Sequence, residues 1–170
     1  HLLGWDYKVI VRPHPETLKR NPKLIKSLSE KFGFNKDFKM ERTIVNDDSL
    51  MISDLLICDC SGIALEYAFG TYRPVLFLDV PIKIKNKNYL NLNIEPLELY
   101  LREKIGIIVS ANNMENLKLA ISNLMDSKHK YKKIIKNLRK ENIHSFGESS
   151  KIGIKHISNI LNQMNKKQST

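Results

Sequence analysis

The fold of this chain is decided by residues 53–81, SDLLICDCSGIALEYAFGTYRPVLFLDVP. Within them, LLICD at residues 55–59 and PVLFLDV at residues 74–80 are short apolar runs that predict buried strands. Residues 61–69 predict a helix that starts directly after the first strand and ends at Gly70, because glycine commonly closes a helix. This order of elements indicates a parallel strand–helix–strand unit.

The same alternation continues on both sides of this stretch. The further predicted elements are strands at residues 7–11, 39–45 and 105–109, helices at 22–32, 47–52, 97–102, 114–125, 131–138 and 157–164, and a loop at 81–96. The strands are continuous apolar runs, which is typical of a parallel sheet covered on both faces. We therefore predict an α/β, Rossmann-like doubly wound parallel sheet with residues 55–59 near its centre.

The composition fits one globular domain, since 42% of the 170 residues are hydrophobic and 27% are charged. We expect this domain at residues 1–161 and a polar tail at 162–170. Because the chain opens on His1 rather than Met, we expect a fragment of a larger protein with a missing N-terminal domain. No stretch approaches the roughly 18 apolar residues that span a bilayer, and no signal peptide is visible.

Cys58 and Cys60 are the two cysteines of the chain. Only Asp59 separates them, and they lack the partners for a disulfide framework or a zinc site. We expect buried free thiols, which fit a reducing, cytoplasmic location. No D-x-D motif follows a predicted strand, and we expect neither a metal nor a cofactor.

The net charge of +10 is concentrated in the second part of the chain. Residues 1–100 contain 14 Lys/Arg and 13 Asp/Glu, whereas residues 101–170 contain 14 and 5. Residues 128–140 carry seven Lys/Arg and no acid, with apolar side chains on one helical face. This surface is either a solvated face or a contact for anionic lipid at the inner face of the cell membrane. No RNA motif is present, and we expect no nucleic-acid partner.

Two polar clusters directly follow predicted strands, where open α/β sheets bind their ligands. The first is Arg12-Pro13-His14-Pro15 and the second is Asp59-Cys60-Ser61-Gly62, which Glu66 follows. A helix that begins at Ser61 and Gly62 offers unpaired N–H groups to a phosphate. Glu66 lies about 1.4 turns further and could accept hydrogen bonds from ribose hydroxyls.

These residues predict a nucleotide-diphosphate site, with Arg12 and His14 as candidates for neutralising the leaving phosphate and Arg73 and Lys83 as weaker ones. Structural interpretations remain open at this point. Ser61 could serve only as an N-cap, Glu66 could be a solvated helix residue, and His14 could stabilise a turn.

IVRPHP at residues 10–15, the block at residues 53–81 and FGESSKIGIKHISNIL at residues 146–161 resemble the C-terminal half of the CDP-glycerol glycerophosphotransferase family. This family comprises the teichoic-acid primases and polymerases. The resemblance implies a GT-B fold, a donor such as CDP-glycerol, and a lipid-linked or polysaccharide acceptor in teichoic-acid or capsule synthesis. It also implies that His14 is catalytic, that Asp59, Ser61 and Gly62 form the phosphate-binding turn, and that Glu66 contacts ribose.

Three positions depart from the family pattern. Ser61-Gly62 replaces Ser-Ser, Glu66 replaces a common Asp, and Cys58 replaces Thr. The Ser-Gly pair suits an enzyme that uses UDP-sugars at least as well. The alternatives are therefore a GT-B glycosyltransferase or epimerase with a UDP-sugar, or a nucleotide-binding module that is not catalytic when isolated.

Overall fold

A computed structural model describes residues 1–43, 47–81, 88, 91, 93–112 and 114–168. The chain divides into two compact units, His1–Ser53 and Asp54–Thr170. The prediction of one domain at residues 1–161 stays a prediction.

The first unit is built on two short parallel strands. Its elements are β1 (Val9–Val11), α1 (Pro15–Arg20), α2 (Pro22–Phe32), β2 (Phe38–Met40) and α3 (Asp48–Ile52), after a 3-10 turn at Leu2–Trp5. β1 pairs with β2, Val9 opposite Phe38. Both α1 and α2 begin with proline, which suits a first helical position because the N–H it lacks has no partner there.

The second unit contains a three-stranded parallel sheet in the order β3-β4-β5. Its elements are β3 (Leu56–Cys58), α4 (Gly62–Thr71), β4 (Val75–Asp79), α5 (Leu97–Ile105), β5 (Gly106–Ser110), a 3-10 turn (Met114–Asn116), α6 (Leu117–Asp126), α7 (Lys128–Asn142) and α8 (Ser149–Gln168). α4, α5 and α7 pack on one another, and α6 packs on β4 and β5.

The core of the second unit surrounds β4. Val75, Leu76 and Phe77 are consecutive and all buried. Because successive side chains of a strand point to opposite faces, both faces of β4 are covered. The buried helical side chains that complete this core include Ala64, Tyr67, Leu101, Ile105, Leu124 and Ile135.

The predicted α/β class with parallel strands is confirmed, but the predicted arrangement in one sheet with residues 55–59 near its centre is wrong in two respects. The described residues form two hydrogen-bonded sheets, and β4 rather than residues 55–59 is the central strand of the second. Residues 55–59 and 74–80 are similarly apolar, so hydrophobicity alone could not indicate which of the two forms the central strand. Only the pairing of β4 on both edges, to β3 and to β5, distinguishes them.

The predicted end of α4 at Gly70 is also wrong. The helix runs through Thr71, and Tyr72 adopts the left-handed conformation (φ 57°) and donates its N–H to the Ala68 carbonyl. The guanidinium of Arg139 lies 4.5 Å from the centre of the Tyr72 ring. This contact, from a helix far along the chain, holds a tyrosine where the sequence suggested glycine.

The remaining predicted elements are largely found, with two gaps. β2 spans residues 38–40, whereas the predicted strand spans 39–45, and residues 44 and 45 of that prediction lie outside the described residues. Most of the predicted loop at 81–96 also lies outside them. α8 continues to Gln168, into the segment expected to be a polar tail.

The apolar face of α8 is exposed. The side chains of its large apolar residues are 37–66% accessible: Ile152, Ile154, Ile157, Ile160, Leu161 and Met164. None of the helices in the described ranges is both long enough and apolar enough to span a bilayer.

Candidate nucleotide site

The turn between β3 and α4 leaves the first N–H groups of the helix available. Ser61 occupies the N-cap position in an extended conformation, and its carbonyl accepts the Ala64 N–H at 3.0 Å. Its hydroxyl forms no capping hydrogen bond, and the first turn carries no acidic residue. Ser61 is thus placed as an N-cap without using its side chain as one. The end of α4 keeps its positive dipole and its donors for an anion.

Gly62 and Glu66 lie on the same exposed face of α4, one turn apart. A Cβ atom at Gly62 would have no heavy atom within 4 Å, so the fold does not require glycine there. Ala64, Tyr67 and Ala68 form the buried face of the helix. The surface over Gly62 is therefore open to a ligand that approaches the backbone closely.

Two cysteines, Cys58 and Cys60, lead into this turn. Both cysteines are free, as predicted, but they are half-buried rather than buried. Burial raises the pKa of Cys58 to about 12, and burial also raises the pKa of Cys60. Both thiols are therefore protonated at neutral pH. The neighbouring side chain of Asp59 is exposed.

Arg102 is a buried cation that the sequence analysis missed. Its side chain is 9% exposed, and its Nη2 donates to Asp79 Oδ1 at 3.0 Å. Asp79 is the last residue of β4, so this pair lies at the carboxyl end of the sheet, as the β3–α4 turn does. Arg102 follows Leu101 directly and precedes Ile105 by three residues, and both are core residues of α5. This helical spacing could have indicated from the sequence that Arg102 is buried.

Arg12 follows β1 and is paired with two carboxylates of the first unit. Its Nε is 3.9 Å from Glu41 Oε2, and its Nη2 is 3.5 Å from Asp47 Oδ1. Glu41 directly follows β2 and also accepts a hydrogen bond from the Ser49 hydroxyl. The Nη1 of Arg12 is buried without a hydrogen-bond partner in the described structure. Much of the positive charge of Arg12 is therefore balanced within its own unit.

His14 is exposed and caps α1. Its Nδ1 accepts the Glu16 N–H at 3.1 Å. A neutral imidazole that accepts at Nδ1 carries its proton on Nε2. His14 thus has the structural role considered above, and its Nε2–H remains directed away from the cap as a donor.

The predicted site residues are divided between the two compact units. Asp59, Ser61, Gly62 and Glu66 lie along one turn and helix of the second unit, and Arg12 and His14 follow β1 in the first unit. Arg73 precedes β4 and therefore lies at the amino end of the parallel strands, whereas the β3–α4 turn lies at their carboxyl end. Lys83 lies outside the described residues. Across the described ranges, no three His, Cys, Asp or Glu side chains cluster closely enough to hold a metal ion.

Comparison with known proteins identifies a family. Neither the curated proteins nor the solved structures include a significant match to this chain. Residues 1–146 match the family model described as CDP-Glycerol:Poly(glycerophosphate) glycerophosphotransferase. The match confirms the suspected family, which implies a nucleotide-linked donor and an acceptor. Since it covers most of the 170 residues, this chain belongs to the CDP-glycerol:poly(glycerophosphate) glycerophosphotransferase family.

Proposed function

We propose that this chain is the donor-nucleotide-binding part of a CDP-glycerol glycerophosphotransferase-like enzyme of GT-B architecture, which acts in teichoic-acid or capsular polysaccharide synthesis. The main support is the β3–α4 turn. There, the ten-residue helix α4 begins with an unused N-cap hydroxyl and an exposed glycine that no side chain covers. A helix N-terminus of this kind binds phosphate through its backbone N–H groups.

In the proposed complex, the donor diphosphate lies against the N–H groups of Gly62 and Ile63. Glu66 is about 6 Å further along the helix axis on the same face as Gly62, where it accepts hydrogen bonds from the ribose hydroxyls. A carboxylate is a suitable acceptor because it offers two oxygens to the hydroxyl donors of the ribose.

The proposed reaction is an in-line transfer of glycerophosphate. An acceptor hydroxyl attacks the glycerol-bearing phosphorus, a new P–O bond forms, and the bond to the bridging oxygen breaks as CMP leaves with the electron pair. The hydroxyl proton passes to a general base on the acceptor side of the enzyme. The charge that develops on CMP is stabilised by the N-terminus of α4. We assign the catalytic role that the family resemblance implies to His14, through its Nε2–H donor, and keep Arg12 as a candidate nucleotide-binding cation.

Nucleotide binding is tested by thermal or chemical unfolding with CDP, UDP, GDP, ADP and CMP. At 100 times its dissociation constant, a ligand that binds only the folded state adds about 2.7 kcal/mol to the free energy of unfolding. We expect CDP to stabilise the protein most. Stabilisation by UDP instead would favour the UDP-sugar alternative, and no stabilisation by any nucleotide would contradict the proposal.

Gly62→Leu is expected to weaken CDP binding at least about tenfold, or 1.4 kcal/mol, without loss of the fold. The leucine side chain would fill the open space above the turn, where the phosphate must approach. Gly70→Leu is the matched control, since Gly70 lies near the other end of the same helix and is equally uncovered. Equal CDP affinity in the two variants would refute the assignment of the phosphate to this turn.

We also propose that α7 contacts anionic lipid at the inner face of the membrane. Within the described part of the chain, Lys128 bonds to Asp54 at 2.9 Å, and the guanidinium of Arg139 lies 4.1 Å from the centre of the Phe146 ring. The other five basic residues of α7 are exposed lysines, namely Lys130, Lys132, Lys133, Lys136 and Lys140. The buried Ile135 holds the opposite face of α7 against the core, so this contact is electrostatic.

Changing Lys132, Lys133 and Lys136 together to glutamate should lower binding to anionic liposomes about 100-fold or more, at about 1 kcal/mol per lysine. Co-sedimentation at low and high salt measures this, because salt screens the attraction. Lys19, Lys23 and Lys36, which are exposed in the first unit, supply a control with the same change of charge. Equal binding to neutral and anionic vesicles would leave α7 as a solvated face.

A further inference from the structure

Arg102 stands out because it is a buried charge with an unused donor. Its side chain is 9% exposed, its guanidinium lies 5.6 Å from the centre of the Phe77 ring, and its Nη2 bonds to Asp79. Its Nε is buried and has no hydrogen-bond partner in the described part of the chain. Asp79, its carboxylate partner among the described residues, has a side chain that is 57% exposed. Within the described residues, a buried arginine paired with an exposed carboxylate and with an unpaired Nε is an incomplete pair.

The position of Arg102 connects it with the β3–α4 turn. β3 pairs with β4 up to Cys58 opposite Phe77, and Asp79 follows Phe77 by two residues at the end of β4 where the chain also leaves β3. Neighbouring strands lie about 4.8 Å apart. The guanidinium that bonds to Asp79 is therefore anchored beside the point where the chain leaves β3 and turns into α4.

The charges around the turn agree with this placement. Burial raises the pKa of Cys60, and the positive charge of Arg102 opposes that rise, while the carboxylates of Glu98 and Asp59 add to it. Asp59, Asp79 and Glu98 thus bring negative charge to the same edge as Arg102. A diphosphate can approach this edge favourably only if a fixed cation offsets them.

We propose that Arg102 is that cation: it attracts the diphosphate of the donor to the N-terminus of α4 and exchanges part of its pairing with Asp79 for the phosphate. The inference rests on the proposed function, since it concerns the same turn. Because Arg102 is held in a buried position against Phe77, its charge is weakly screened and it loses little side-chain freedom when the ligand binds.

The experiment measures the binding of CDP, CMP and cytidine to the unaltered protein and to Arg102→Met, Arg102→Lys and Asp79→Asn. We expect Arg102→Met to weaken CDP at least tenfold and CMP less, with cytidine unchanged, and Arg102→Lys to retain part of the affinity. Asp79→Asn should tighten CDP, because it removes a competing carboxylate without removing the cation. The opposite direction of these two changes is the signature of an electrostatic role.

The outcomes separate this inference from the proposed function. If the unaltered protein does not bind CDP, both are overturned. If it binds CDP and Asp79→Asn does not tighten that binding, or if Arg102→Met affects cytidine as much as CDP, Arg102 is only a structural partner of Asp79. Circular dichroism of each variant identifies unfolding, and Asp79→Asn, whose changed side chain is mostly exposed, provides the decisive measurement if Arg102→Met does not fold.

Discussion

Replacing Gly106 by alanine is expected to lower the free energy of unfolding by about 3 kcal/mol or more, at the upper end of the cost of overpacking a core. A Cβ atom at Gly106 would lie 1.7 Å from the Val75 carbonyl oxygen and 2.7 Å from its carbon. Both are backbone atoms of the central strand, whose side chains are buried on both faces, so β4 cannot move aside easily. A loss of this size is a large share of the roughly 5–15 kcal/mol that stabilises a typical domain.

Urea unfolding followed by circular dichroism measures this effect, with the soluble yield as a second readout. Gly153→Ala is the control, because Gly153 lies in α8 with no atom within 4 Å of its Cβ position. Alanine favours a helix over glycine by about 1 kcal/mol, so this control should be neutral or stabilising. An unchanged midpoint for Gly106→Ala would mean that β5 does not approach β4 as closely as described.

His14→Ala in the complete enzyme is expected to lower turnover by about 100-fold to 10,000-fold, the range that a positioned proton donor contributes. CDP affinity should change much less, because the backbone of the β3–α4 turn binds the diphosphate in our proposal. Removing the bond from the Glu16 N–H to Nδ1 should also cost about 1 kcal/mol of stability, as the loss of an N-cap does. Release of CMP from CDP-glycerol measures the turnover.

His14→Asn separates the two roles of this histidine. Asparagine is among the best N-cap residues, so this variant should recover the stability lost in His14→Ala. It lacks the imidazole Nε2–H and should not recover turnover. Recovery of both properties in His14→Asn would show that His14 serves only to cap α1.

The part of the candidate site that depends on neighbouring residues of the chain could be predicted from the sequence. The apolar run at residues 55–59, followed by Ser61 and Gly62, placed a helix N-terminus at the end of a strand, and the structure has this turn. The contacts of the charged side chains could not be predicted. Arg12 is paired with Glu41 and Asp47, and Arg102 with Asp79, 23 residues away.

For the three C-terminal helices, the sequence predicted the helices themselves but not which of their apolar faces are buried. Apolar residues at helical spacing predicted α6, α7 and α8, and all three are helices. Leu124 of α6 and Ile135 of α7 are fully buried, whereas Ile157 of α8 is 60% exposed. Periodicity determines that a segment forms a helix with an apolar face, but not whether another segment covers that face.

The sequence by itself determined the α/β class, the approximate bounds of most described elements, the β3–α4 turn and the family. These depend on the spacing of apolar residues and on glycine and proline, which act over a few neighbouring positions. Only the tertiary structure decided that β4 is the central strand, that Gly106 has no room for a side chain, that Tyr72 ends α4, and that Arg102 is buried. The physical reason is that burial, close backbone contact and charge pairing arise between segments distant in sequence, and no single segment encodes its partner.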